Sequence, residues 1–207
     1  MLVPLLATLA AYLAGSLSFA VIVSRSMGLS DPRTYGSGNP GATNVLRSGS
    51  KAAALVTLAL DALKGWLPVM LIQWFGAAHG LGEGAQALAG VAAFLGHLYP
   101  VFFRFAGGKG VATAAGVLLA FNPWLGAVAL LTWLIAVALT RYVSLASMAA
   151  AALAPGCYLM GDGLLWQASG EKTLAMIVMG LLLIWRHRQN IQRLTAGAES
   201  KLGSKKA

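Results

Sequence analysis

Acidic side chains are scarce in this chain, and so is charge of any kind. Six Asp and Glu face fifteen Lys and Arg over 207 residues, a formal net charge of +9, and charged residues make up only 10% of the whole. Cysteine occurs once, as Cys157, which excludes an intrachain disulfide and a metal centre of the cysteine type and leaves packing as its expected role. No basic residue precedes the apolar run that starts at Leu2, unlike the charged start of a secretory leader, so residues 1–23 read as a retained first span. Long polar blocks, internal repeats and low-complexity linkers are missing too. Residues 1–207 therefore read as one multi-pass membrane domain, with 196–207 as a flexible, soluble tail.

What is abundant is apolar surface. With 58% hydrophobic residues and a mean hydropathy of +0.73, a chain of this length cannot bury its apolar area in one soluble core, so its solvent must be lipid. In a soluble protein the basic excess would point to nucleic acid. Here the positive-inside rule accounts for it, and no nucleic-acid partner is expected.

A bilayer core about 30 Å thick needs roughly 20 apolar residues per helix. Seven stretches qualify or nearly so: 2–24, 52–75, 85–103, 111–121, 123–139, 143–160 and 173–185. The region 111–139 decides the count. As one helix it would be roughly 43 Å long and would need a tilt of about 45° to cross once, beyond the usual range. Crossing twice, with a turn at Asn122-Pro123, places Arg25, Arg33, Arg47, Lys51, Arg104, Lys109, Arg141, Arg186, Arg188, Arg193, Lys201, Lys205 and Lys206 on one side. The other side keeps Lys172 beside Glu83, Asp162 and Glu171. The expectation is an all-α integral membrane bundle of about seven transmembrane helices, amino terminus outside and carboxyl terminus cytoplasmic. Four polar stretches then share the cytoplasmic face: 35–51, 104–113, 140–147 and 186–201.

The stretch 35–47, YGSGNPGATNVLR, has the composition of an anion seat. Gly36, Gly38 and Gly41 free the backbone, and Pro40 keeps Asn39 extended, so that N–H groups can converge. Ser37, Asn39, Thr43 and Asn44 add short polar side chains, and Arg47 a planar fork matched to phosphate oxygens. A plain polar turn between helices is the competing reading. In the second stretch, Gly107, Gly108 and Gly110 surround Lys109 immediately before an apolar helix, again a seat for an anion, or else only a loop. Its spacing fails the Walker A pattern, so nucleotide hydrolysis is unsupported. Ser144 and Ser147 stand one turn apart, where hydroxyls commonly bond the preceding turn of their own helix. His187 and Asn190 can face one ligand, or belong to a basic interfacial anchor. His97 reads as a packing histidine, and Asp61 with Lys64 as a mutually paired couple inside a span.

Taken in order, GSLSFAVIVSR, GSGNPGATNVLR, GHLYPVFFRFAGGKGVAT, RYVSLAS and RHRQNIQRLTAGAESK resemble the bacterial acyl-phosphate:glycerol-3-phosphate acyltransferases, the PlsY type. The likeness runs over nearly the whole chain and implies a seven-helix membrane bundle in the bacterial inner membrane with its active site facing the cytoplasm. It implies transfer of a fatty acyl group from acyl phosphate to the 1-hydroxyl of glycerol 3-phosphate, giving lysophosphatidic acid, with no cofactor and no metal. It points to Ser37, Arg47, Lys109, Ser144, His187 and Asn190 as the functional positions, with Thr43 and Asn44 in the glycine-rich turn and no firm role for Glu199. A soluble phosphate acyltransferase that makes acyl phosphate is the partner it implies.

Many other glycerolipid acyltransferases use a His-x-x-x-x-Asp pair, and this chain has none: Gly84, Phe102 and Gln192 follow His79, His97 and His187 at that spacing. The proton acceptor is then either the acceptor substrate's own phosphate or His187. The rival reading is a small transporter of phosphorylated solutes, which would need ionisable groups along a route through the bilayer. Only Asp61 and Lys64 qualify.

Overall fold

The computed structural model describes residues 2–203, and among these every regular element is helical. The order is α1 (Leu2–Gly15), α2 (Phe19–Ser26), α3 (Ala42–Val45), α4 (Lys51–Phe75), α5 (Glu83–Leu98), α6 (Val111–Phe121), α7 (Pro123–Thr140), α8 (Val143–Met160), α9 (Gly170–Arg186) and α10 (Arg188–Thr195), with short 3-10 turns at 46–48, 77–79 and 101–103. Lys205 and Lys206, and with them the end of the expected tail, lie outside the described residues.

Helix starts follow local chemistry. Asn122 accepts from the N–H groups of Trp124 and Leu125, with Pro123 in the first turn, so the chain reverses between α6 and α7 where the sequence placed a turn. Ser50 and Ser169 cap α4 and α9 in the same way. Four segments are long and apolar enough to cross a bilayer: 51–75, 83–103, 123–140 and 143–160. A fifth crossing is available if α1 and α2, bent by 44°, count as one span. Helix α6, with 11 residues, is roughly 16 Å long and falls well short of the hydrocarbon thickness on its own.

The expected continuous span over 2–24 is corrected by that bend. The chain unwinds at 16–18, and the freed carbonyl of Leu17 accepts from Lys64 Nζ at 2.7 Å. A cation brought from α4 thus satisfies a backbone group that would otherwise sit unpaired in an apolar setting, and no local pattern signals it. The tail expectation is corrected as well for its first half. Leu202 N–H donates to the Arg141 carbonyl at 2.7 Å, Arg141 Nη2 returns a bond to the Leu202 carbonyl at 2.8 Å, and Glu199 is drawn into the bundle.

The helices approach closely through glycine. A Cβ on Gly116 of α6 would lie 1.9 Å from the Ala62 carbonyl oxygen of α4, one on Gly65 2.2 Å from that of Thr113, and one on Gly96 of α5 2.3 Å from that of Tyr12 in α1. Phe94, Leu98, Val117, Phe121, Leu125, Tyr158, Met179 and Leu183 fill the centre. Leu2, Leu5, Leu55, Trp124, Leu130, Leu131 and Leu139 point outward and exposed, the inverse of a soluble protein and the face a bilayer covers. An apolar groove of about 460 Å³ runs between α1 and α4, lined by Ala7, Ala10, Leu63, Leu67 and Leu71, with Lys64, Leu17 and Phe19 also in its wall.

Gly116→Val is expected to lower stability by about 1–3 kcal/mol or to abolish folding, because the clash is with main chain that has nowhere to go. Gly156→Ala in α8, where nothing lies within 4 Å of the added carbon, is expected to be neutral or slightly stabilising. Thermal unfolding of the purified protein in detergent separates the two.

Candidate active site

The first glycine turn is wound around Asn44. This buried side chain donates to the carbonyls of Pro32 at 2.6 Å and Tyr35 at 3.2 Å, and accepts from Ser37 N–H at 3.0 Å. Its hydrogen bonds are spent inside the chain, so it shapes the turn and has no group turned to a ligand. Gly36 adopts φ +61°, and a Cβ there would lie 2.3 Å from Asn44 Oδ1 and 3.1 Å from Arg47 Cδ. Arg47 therefore lies across the turn, and Arg47, Ser37 and Thr43 are all exposed. A cavity of about 440 Å³ opens next to Arg47, walled by Gly28, Ser30, Thr34, Tyr35 and Ser48.

The second turn is clamped from behind. Arg186, the last residue of α9, donates from Nη2 to the Gly107 carbonyl at 2.9 Å and from Nε to the Gly108 carbonyl at 3.1 Å, while Gly108 N–H donates to the His97 carbonyl at 3.1 Å. The two turns meet: a Cβ on Gly108 would lie 2.9 Å from the Pro40 carbonyl oxygen. Residues that sequence separates by about seventy positions thus stand wall to wall.

Not all the glycine N–H groups converge on open space as the sequence suggested. Those of Ser37, Gly38, Gly41 and Gly108 are engaged by Asn44, Tyr35, Asn39 and His97. Among the described residues, those of Gly36, Asn39, Gly107, Lys109 and Gly110 have no partner within the chain.

The third and fourth stretches close on Glu199. Its Oε1 accepts from Ser144 Oγ at 2.7 Å and from Asn190 Nδ2 at 2.6 Å, and its Oε2 from Arg193 Nε at 2.7 Å. Asn190 turns its other side to Lys109, accepting from Nζ through Oδ1. The structure also separates the two serines. Ser144 faces Glu199, whereas Ser147 donates to the Val143 carbonyl at 2.8 Å and accepts from Trp133 Nε1 at 3.1 Å. His187 is buried at the junction of α9 and α10, with Nδ1 2.8 Å from the Leu183 carbonyl. Because a carbonyl only accepts, Nδ1 carries the proton and Nε2 the lone pair.

Electrostatics follow from this crowding. Burial, together with Arg193, Arg186 and Arg47, lowers the pKa of Lys109 from 10.5 to about 8, with Glu199 working the other way. Burial lowers His187 from 6.5 to about 4, aided by Lys109 and Arg186, so the imidazole is neutral at physiological pH. Burial alone would raise the Glu199 carboxyl, but hydrogen bonds from Ser144, Asn190 and Arg193 hold it below the ordinary carboxylate range. The result is a cluster of cations with one fixed counter-charge, short of an anion.

A family model of glycerol-3-phosphate acyltransferases matches residues 5–197. The chain belongs to the glycerol-3-phosphate acyltransferase family. Among members of that family, the protein from Albidiferax ferrireducens is 64% identical over 202 residues, 98% of this chain and 90% of the relative, and that from Paraburkholderia phytofirmans 62%, over 98% and 92%. The fold is similar to crystal structures of PlsY, an integral membrane glycerol 3-phosphate acyltransferase. The glycerol 3-phosphate form superposes with a TM-score of 0.87 at 39% identity over 97% of this chain and 96% of that one. The lysophosphatidic acid form gives 0.86 at 38%, over 97% and 95%. As a member of the glycerol-3-phosphate acyltransferase family the chain is a multi-pass integral membrane acyltransferase, and the transporter reading falls away.

Two residues of the site escaped a role in the sequence. Glu199 and Arg186 looked like parts of a basic tail, while Asn44 was expected among the phosphate-binding residues and stands as the spindle of its turn. The only signal was Glu199 itself, an isolated acid between Arg193 and Lys201.

An anion seated against Lys109 raises its pKa, so binding at pH 8 draws in a proton. Calorimetry with inorganic phosphate in buffers of differing ionisation enthalpy is expected to show uptake of roughly half a proton per anion at that pH, and Lys109→Met to abolish it.

Proposed function

We propose that this chain moves a fatty acyl group from acyl phosphate to the 1-hydroxyl of glycerol 3-phosphate, releasing lysophosphatidic acid and inorganic phosphate. Family membership supports glycerol 3-phosphate as acceptor. The observation that carries the donor is Lys109, a half-buried ammonium among three guanidinium groups, at the junction of two glycine turns. A site with that much uncompensated positive charge suits two phosphates rather than one.

The roles divide by position. Lys109 and Arg47, with the open N–H groups of Gly36, Asn39, Gly107 and Gly110 and the Ser37 hydroxyl, hold the phosphate that leaves. Asn190 and neutral His187 orient the acceptor, and Ser144 with Glu199 keeps Asn190 turned toward Lys109. The Thr43 hydroxyl stands at the rim. The acyl chain lies in the apolar groove between α1 and α4, whose wall includes Lys64. In the reaction the acceptor's 1-hydroxyl oxygen bonds to the acyl carbon, the carbon–oxygen bond to phosphate breaks, and its electron pair leaves on the phosphate. Acyl phosphate is an activated anhydride, so alignment and charge neutralisation supply most of the acceleration.

The hydroxyl proton goes to the acceptor's own phosphate. A phosphate monoester has its second pKa at about 6, above His187 at about 4, which makes the phosphate the stronger base. His187 then serves as a hydrogen-bond acceptor at Nε2.

Topology completes the reading. The bundle crosses seven times as one domain, with α6 and α7 as two separate passes and the membrane thinned or α6 tilted around its short span. The amino terminus lies outside, and the carboxyl terminus and active site face the cytoplasm of a bacterial inner membrane. Clustering of the basic residues on that face supports the orientation. A soluble enzyme that makes acyl phosphate delivers the donor from the same side.

Detergent-purified protein given acyl phosphate and glycerol 3-phosphate is expected to release lysophosphatidic acid and phosphate. Arg47→Lys should lose about 10- to 100-fold in kcat/KM through lost bidentate contact. His187→Ala should lower turnover without removing an ionisation from the pH profile. Full activity in Arg47→Lys would count against its place in the phosphate seat, and a vanished ionisation in His187→Ala would make His187 the base.

A further inference from the structure

A group of buried polar side chains between α4, α5 and α6 takes no part in the chemistry above. Asp61 and Lys64 pair at 2.7 Å within α4, both almost fully buried, and Lys64 also bonds the Leu17 carbonyl. An ion pair this deep is weak support for stability, because desolvation offsets its attraction, so its contribution is better sought in geometry.

That geometry runs to the Lys109 turn. Thr113, in the first turn of α6, donates its hydroxyl proton to the Asp61 main-chain carbonyl at 3.0 Å. Having no second proton to give, its oxygen accepts from His97 Nδ1, also at 3.0 Å. The Asp61 carboxylate, 3.7 Å from Nδ1, favours a proton on that nitrogen too. The ring is thereby fixed with Nε2 as its bare side, and Nε2 abuts the turn: a Cβ on Gly108 would lie 2.3 Å from it. The main chain of His97 meets the same residue, since its carbonyl accepts from Gly108 N–H. Both ends of the turn are therefore referred to α4, at Gly108 through His97 and at the start of α6 through Thr113.

We propose that Asp61, His97 and Thr113 form a positioning relay that sets where the Lys109 turn stands against the Pro40 turn, so that the buried Asp61 position of α4 governs the leaving-phosphate seat without touching substrate. The relay rests on the reaction proposed above. It acts on the donor: a displaced Lys109 weakens the hold on acyl phosphate while His187 and Asn190, carried by other elements and with Asn190 still held by Glu199, receive glycerol 3-phosphate.

The test uses Thr113→Val, which keeps the shape and removes the hydroxyl, beside Thr113→Ser, which keeps the hydroxyl. With the purified full-length enzyme, Thr113→Val is expected to raise the KM for acyl phosphate about tenfold and to lower kcat, leaving the KM for glycerol 3-phosphate within about twofold, and Thr113→Ser to recover both. A merely destabilised protein would lose active fraction without that split. Unchanged acyl phosphate KM in Thr113→Val, or failure of Thr113→Ser to recover it, overturns the relay. Should Thr113→Val not fold, Thr113→Ala, which removes the same hydroxyl, is read by the same KM criterion, and loss of fold in both variants overturns the proposal by making the cluster a stability element. Affinity for inorganic phosphate, measured by calorimetry on the same proteins, reads the relay independently of turnover. A wild type that binds phosphate but makes no lysophosphatidic acid would sink the reaction, and the relay would stand or fall on the phosphate affinities of the variants.

Discussion

Glu199 accepts from Ser144 on α8 and from Asn190 and Arg193 on α10, and through Asn190 it fixes the partner of Lys109. Without a carboxylate at that point, the cations around Lys109 would repel one another across a partly buried space. With it they are held in register but not neutralised. Lys109, Arg193, Arg186 and Arg47 count four positive charges against one negative, leaving three in excess. Glu199 therefore acts as a strut: it sets positions and leaves the excess for a substrate phosphate to satisfy.

The second constraint is steric. The Pro40 and Lys109 turns can touch because residue 108 has no side chain, and the helices that carry them can close because Gly65, Gly96 and Gly116 have none either. Apolar solvent gives helices little hydrophobic reason to associate, so close backbone contact and buried polar links take over that work. The break at 16–18 and the turn at Gly107 and Gly108 share one device: a cationic side chain from another helix, Lys64 in the first case and Arg186 in the second, answers carbonyls that irregular backbone leaves free. Substrate chemistry and fold thus depend on the same small-residue positions.

How far the sequence could be read follows from the range of each interaction. The turn at Asn122-Pro123 was legible because its cap and its proline are neighbours. The four polar stretches were legible as one face because charge asymmetry is a property of whole loops. The break in the first span was not, since its cause sits forty-seven positions away at Lys64. Nor was the choice of Ser144 over Ser147, which turns on whether Glu199 or Trp133 lies opposite. Asn44 looked like a ligand because its amide suits phosphate as well as it suits the Pro32 and Tyr35 carbonyls, and composition alone does not choose. Glu199 was passed over for the opposite reason: a lone acid in a basic, polar end reads as solvated surface until the chain folds back along Arg141.

Glu199 has an effect of definite sign on acceptor binding. If the carboxylate were only a negative charge beside an anion site, removing it would tighten the hold on glycerol 3-phosphate. As the strut that aims Asn190 and Arg193, its loss should do the reverse. The decisive measurement is the dissociation constant of glycerol 3-phosphate for the wild type and Glu199→Gln at low and physiological salt. Weakening by about tenfold or more is the predicted result, and tighter binding in the variant would contradict the central claim.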